Sequence, residues 1–116
     1  MPESKQDKEF VAHVVDLLQV VGPVNAKRMF GGYGLYIDGL MFALLTGRDL
    51  YLKTDDQIKD QFRAAGLAPF QYQRQNKLIE LSYFQAPEDV FEDTDAALYW
   101  GNLAYAAALR SATRKQ

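Results

Sequence analysis

Near both ends of the chain apolar residues recur at helical spacing, and between them the period shortens to that of strands. Phe10, Val14, Leu17, Leu18 and Val21 mark one helical face and Gly22-Pro23 ends it, which predicts a helix over about residues 5–21. Ser4 and Asp7 stand where a helix start favours a capping hydroxyl and a carboxylate. Glycine-rich turns then separate short apolar runs, predicting strands near 27–30, 33–38, 40–46 and 50–53. Asp38-Gly39 is a two-residue hairpin signal, because both central residues of such a turn need positive φ. Thr54-x-x-Gln57 reads as a capping box for a short helix with Ile58, Phe62 and Ala65 inward and Gly66 as its stop.

Beyond Pro69 two more strands are predicted, 70–75 and 78–84, with a tight turn around Gln75-Asn76-Lys77. In the second, Ile79, Leu81 and Tyr83 alternate with Glu80 and Ser82, the pattern of a sheet with one buried face. Short and long helices follow, over 87–92 and about 95–112. With mostly hairpin connections, this order predicts one α+β domain spanning 1–116: an antiparallel meander with helices packed on one side, in two layers.

Composition agrees with a packed globule: of 116 residues 48% are hydrophobic and 24% charged. The absence of cysteine excludes disulfides, a thiolate nucleophile and sulfur-based zinc sites. The charged N-terminus lacks the apolar core of a secretion signal, and no apolar run has membrane-spanning length, so a soluble cytoplasmic protein is expected. A net charge of −2 disfavours phosphate gripping as the main role.

Candidate chemistry is sparse. His13 is the single histidine, on the shoulder of the first helical stripe, and no nucleophile-elbow pattern surrounds any serine. The acids at Asp55-Asp56 and across 88–95 stand where helices begin, which capping and the helix dipole explain. Gly31-Gly32-Tyr33-Gly34 precedes a strand rather than a helix, so it reads as a backbone device and not a phosphate loop. Lys27 and Arg28 beside Tyr33 and Tyr36 form a small basic and aromatic set of the kind that holds single-stranded nucleic acid. Arg28 could instead pair with an acid such as Glu80. On the last helix Ala96, Trp100, Leu103, Ala104 and Ala107 form one apolar face, and Leu98, Tyr105 and Leu109 another. That second face is either covered by a neighbouring helix or used for association, most simply as a homodimer.

The run Arg28-Met29-Phe30-Gly31-Gly32-Tyr33-Gly34-Leu35-Tyr36, then Asp38-Gly39-Leu40-Met41-Phe42-Ala43-Leu44 and Leu50-Tyr51-Leu52-Lys53, resembles the N-terminal domain of the TfoX/Sxy competence regulators. Ala86-Pro87-Glu88-Asp89-Val90-Phe91-Glu92-Asp93 before an alanine-rich helix bearing Trp100 is also similar. The resemblance implies a secretion-chaperone-like α+β layout and a link to the regulation of DNA uptake. It supplies no catalytic residue, and the sequence ends at Gln116, without room for the C-terminal domain of the two-domain regulators. The expectation is a non-enzymatic regulatory or interaction domain without metal or cofactor, with protein partners and no membrane. The alternatives are a weak nucleic-acid-binding module built on Lys27 and Arg28, and a small-molecule or enzymatic domain with an unrecognised pocket.

Overall fold

Helix α1 (Lys5–Leu18) forms on the predicted stripe and places Val14 and Leu18 in the core. It stops short of Val21 because the Gln19 carboxamide closes the reversal into the first strand: it accepts from the Val24 N–H and donates to the Val24 carbonyl, both at 3.2 Å. The computed structural model describes residues 5–29 and 31–114. The Ser4 helix start and Phe30 of the Arg28–Gly32 block lie outside the described residues.

Strands β1 (Val24–Met29), β2 (Gly32–Ile37), β3 (Leu40–Thr46) and β4 (Asp49–Lys53) run as consecutive hairpins. After α2 (Lys59–Ala64) come β5 (Pro69–Arg74) and β6 (Lys77–Gln85), then α3 (Asp89–Glu92) and α4 (Thr94–Arg114). The six strands form one antiparallel sheet in the order β1-β2-β3-β4-β6-β5, so the chain is α+β as expected. Asp38 and Gly39 adopt φ of 51° and 78°, as a primed hairpin turn requires. Gln75 and Asn76 make the same kind of turn, at 51° and 64°, without glycine.

The capping box expected at Thr54 and Gln57 is not formed: α2 starts at Lys59, and its N-cap residue Ile58 carries no side-chain cap hydrogen bond. Thr54 is buried, and its N–H donates to the Ser82 carbonyl, extending the β4–β6 pairing. Asp55 instead closes the turn that leads into the helix: its carboxylate accepts from the N–H groups of Gln57 and Ile58 at 3.1 and 3.3 Å. Gly66, at φ 78°, ends the helix as expected, with Leu67 N–H returning to the Phe62 carbonyl. Ala65 is exposed rather than inward, since the helix ends before its face turns to the core.

The core lies between the sheet and the helices. Phe62 stands 4.9 Å from Trp100 and 5.9 Å from Phe84 between ring centroids, and Phe42 meets Tyr105 edge-on at 6.3 Å. Gly101 lets α4 close on the end of α1 and the turn after it, because a Cβ there would press into Val21 beside Leu18. In β6 it is Phe84 that faces this core. Ile79, Leu81 and Tyr83 have the opposite parity and face away from the helices, so the alternation is real but its apolar members lie on the other side.

Candidate functional site: a trough on the uncovered face of the sheet

Strand β3 is apolar on both sides. Phe42, Ala43 and Leu45 enter the helix-covered core, whereas Met41 and Leu44 point to the uncovered face. There a cavity of about 520 Å³ is lined by Met29 from β1, by Met41, Leu44 and Thr46 from β3, and by Phe70, Tyr72 and Arg74 from β5. Leu81 and Tyr83 of β6 complete it. β1 and β5 are opposite edges of the sheet, five inter-strand steps apart, and in a flat sheet would be separated by roughly 24 Å. For both to line one cavity the sheet must curl into a trough. Twist supplies part of the curl, and an irregularity in β3 adds to it: Leu35 pairs with Ala43 and Tyr36 with Met41, leaving Phe42 as an extra residue.

Gly34 forms part of the floor. A Cβ at this position would stand 2.8 Å from Met29 Sδ and 3.0 Å from Met41 Sδ, so its absence lets both thioethers lie over the strand. One wall is aromatic: Tyr51 meets Phe70 edge-on at 5.1 Å, and Phe70 lies 6.3 Å from Tyr72 with their planes 33° apart. Burial raises the pKa of Tyr51, with Asp49 adding to the effect. Burial, with a smaller contribution from Tyr36, pushes the Tyr83 phenol up to about 12. Its hydroxyl makes a long, 3.5 Å hydrogen bond to the Met41 carbonyl.

Strand alternation also sorts charge. Lys27 pairs with Gly34, Lys53 with Tyr83, and Arg74 with Lys77, so all four cations belong to the trough side. Lys27 Nζ stands 4.9 Å over the Tyr36 ring and Lys53 Nζ 5.2 Å over that of Tyr83. Against them this side carries Asp49, opposite Thr46.

The basic and aromatic set expected at Lys27, Arg28, Tyr33 and Tyr36 is divided between two faces. Lys27 and Tyr36 lie on the trough side of the sheet, whereas Arg28 lies 5.8 Å over Tyr33, which packs against the core on the helix side. A pair between Arg28 and Glu80 is not formed: β2, β3 and β4 separate their strands, and Gln71 donates to Glu80 at 3.3 Å. Gly31 has φ 78°, and a side chain on Gly32 would overlap the Leu45 carbonyl oxygen. Trp100 is seated between Phe62 and Tyr99.

On α4, Leu98 and Leu109 are 39% and 44% exposed. Tyr105, between them, is partly buried on Phe42, and its hydroxyl donates to Asp38 at 3.2 Å. His13 is exposed. Asp55 is held by Arg110 at 2.6 and 3.1 Å, which lowers its pKa, and Asp56 meets Lys59 at 2.8 Å. Among the described residues no group of three or more His, Cys, Asp and Glu side chains could hold a metal ion, and no helix is long and apolar enough to cross a membrane.

Sequence reasoning missed Met41, Leu44, Phe70, Tyr72, Arg74, Leu81 and Tyr83 as a set. The signal available was β3 itself, since a strand apolar on both faces needs two covers and the helices supply one.

Compared with known proteins, residues 16–108 match the family described as the TfoX N-terminal domain. The chain is 29% identical over 83 residues to the DNA transformation protein TfoX1 of Aliivibrio fischeri, covering 72% of this chain and 39% of that protein. It is 36% identical over 83 residues to the DNA transformation protein TfoX of Haemophilus influenzae, covering 70% of this chain and 38% of that protein. The match thus spans about two-fifths of the length of these curated relatives.

Proposed function

Because the chain belongs to the TfoX N-terminal domain family, we propose that it is a non-enzymatic interaction domain in the regulation of DNA transformation, working through the trough. The observation that carries this reading is a concave, largely apolar surface that the protein's own helices leave uncovered. The names of the two relatives supply the process. The non-enzymatic part draws support from the names of the same relatives, which describe transformation proteins and no reaction.

The test is a chimera in which this chain replaces the matching segment of the Haemophilus influenzae protein. Transformation frequency should rise above that of a deletion strain, and Leu81→Glu with Tyr72→Glu should return it to the deletion level. A doubly changed chimera as active as the unchanged one would remove the trough from the process. Turnover of phosphate or carboxylic esters that disappears in Tyr83→Phe would overturn the non-enzymatic reading.

A second reading, self-association through α4, is favoured by the exposure of Leu98 and Leu109 on either side of Tyr105. Light scattering of Leu98→Lys with Leu109→Lys should then show a folded monomer. A wild-type protein that is monomeric at high micromolar concentration removes this reading.

A further inference from the structure

We infer that the trough binds single-stranded nucleic acid, with bases against its aromatic wall and phosphates along its basic rim. This rests on the reading of the trough as the working face and names what it recognises. Its chemistry is unlike that of the rest of the molecule. The chain has a formal net charge of −2, yet Lys27, Lys53, Arg74 and Lys77 share the uncovered side of the sheet against Asp49, with Arg74 lining the cavity itself and Lys53 also bordering Asp55 and Asp56 at the end of β4. A local positive field on an acidic protein draws in a polyanion at that face rather than over the whole surface.

The interior matches the other half of a nucleotide. Phe70 and Tyr72 present rings tilted by 33° to one another, and Tyr72 is 38% exposed. Flat rings on a curled sheet are platforms for unpaired bases, whose faces are hidden inside a duplex and free in a single strand. Arg74 stands beside Tyr72 as the charged residue lining the cavity, so one strand position offers a ring and the next but one a cation. An acidic peptide would meet the same cations, but a nucleotide alone carries a flat base for the ring faces with every charge.

The probe is a labelled oligothymidylate of about twelve nucleotides, followed by fluorescence anisotropy across a salt series. With the four rim cations engaged, log K should fall with log salt at a slope of about −3. Arg74→Gln with Lys77→Gln should make that slope shallower by roughly 1.4. Tyr72→Ala should weaken binding roughly 5- to 150-fold, the stacking of one base, and leave the slope unchanged. These residues are exposed on the β5–β6 hairpin, so unchanged melting curves will show that the variants fold.

Absence of salt-dependent binding by the wild type overturns the inference. So does tighter binding of a duplex of the same length, or equal displacement by polyglutamate, which would mark a site for acidic peptides. The two readings separate cleanly: trough variants that abolish transformation in a protein that never binds the oligonucleotide sink this inference alone. Oligonucleotide binding with no effect of the same variants on transformation sinks only the proposed function.

Discussion

The two faces of the sheet are built from the same kinds of residue and end in different states. On the helix side Phe62, Phe84 and Trp100 meet ring to ring, and Leu35, Ala43 and Leu52 are fully buried. On the other side Phe70, Tyr72, Leu81 and Met41 border an open trough, with lysines laid over tyrosine rings in place of a second layer. The lesson is that apolar character does not distinguish a core from a recognition surface. What separates them is whether another element of the chain closes over it, as α4 does over β3 and β4.

The largest expected effect tests the closed side. Phe62→Ala should cost about 3–5 kcal/mol, because a fully buried ring leaves a cavity its neighbours fill only in part. Thermal melting should therefore drop by about 12 °C or more. If Leu81→Ala, on the trough, lowers the melting temperature as much, the two faces are not different and the comparison fails.

Gly32→Ala comes next, at about 3 kcal/mol, since its Cβ would meet the Leu45 carbonyl and the backbone of a central strand cannot give way. Gly34→Ala, two residues along the same strand, presses instead on side chains, the movable thioethers of Met29 and Met41 and the edge of the Tyr36 ring. It should cost under about 1 kcal/mol while altering whatever the trough binds. Urea titration of both variants sharpens the contrast. Equal losses would mean that the trough floor is as rigid as the sheet itself.

Asp55→Ala should cost about 2 kcal/mol at neutral pH, as it removes both the bonds that close the turn before α2 and the charged partner of Arg110 on α4. The folded-state pKa of Asp55 is lowered, chiefly by its hydrogen bond from Arg110. Its contribution is therefore complete above the ordinary carboxylate pKa of about 3.9 and disappears as pH falls through the lower folded value. The gap between wild type and variant in a pH-dependent melting series should close only in that acid window. A gap that closes nearer neutrality would show that another group clamps the helix layer.

The smallest effect belongs to the trough. Tyr72→Ala, partly exposed on an edge strand, should change stability by under about 1 kcal/mol. A cooperative melt within a few degrees of wild type, together with lost ligand binding, would place recognition and stability on opposite faces.

Local signals in the sequence determined most elements. Positive-φ turns at Asp38-Gly39 and at Gln75-Asn76, the glycine stop at Gly66 and the apolar stripe of α1 each depend on a few neighbouring residues, and each stands as expected. Periodicity likewise marked β6 as a strand with alternating faces. Which face meets the helices was decided by tertiary structure alone: Ile79, Leu81 and Tyr83 on one parity, and Leu78 and Phe84 on the other, satisfy the same period, and of these Phe84 enters the core. The choice rests on pairing with β4, where Phe84 stands opposite Leu52. Tyr105 reaching Asp38 across 67 residues, and Arg110 reaching Asp55 across 55, are non-local in the same way. The trough is the extreme case, because it exists only when the edges β1 and β5, far apart in sequence, are brought round by the curl of the sheet. A period of two records that a strand has two sides, and only the packed molecule records what lies against each.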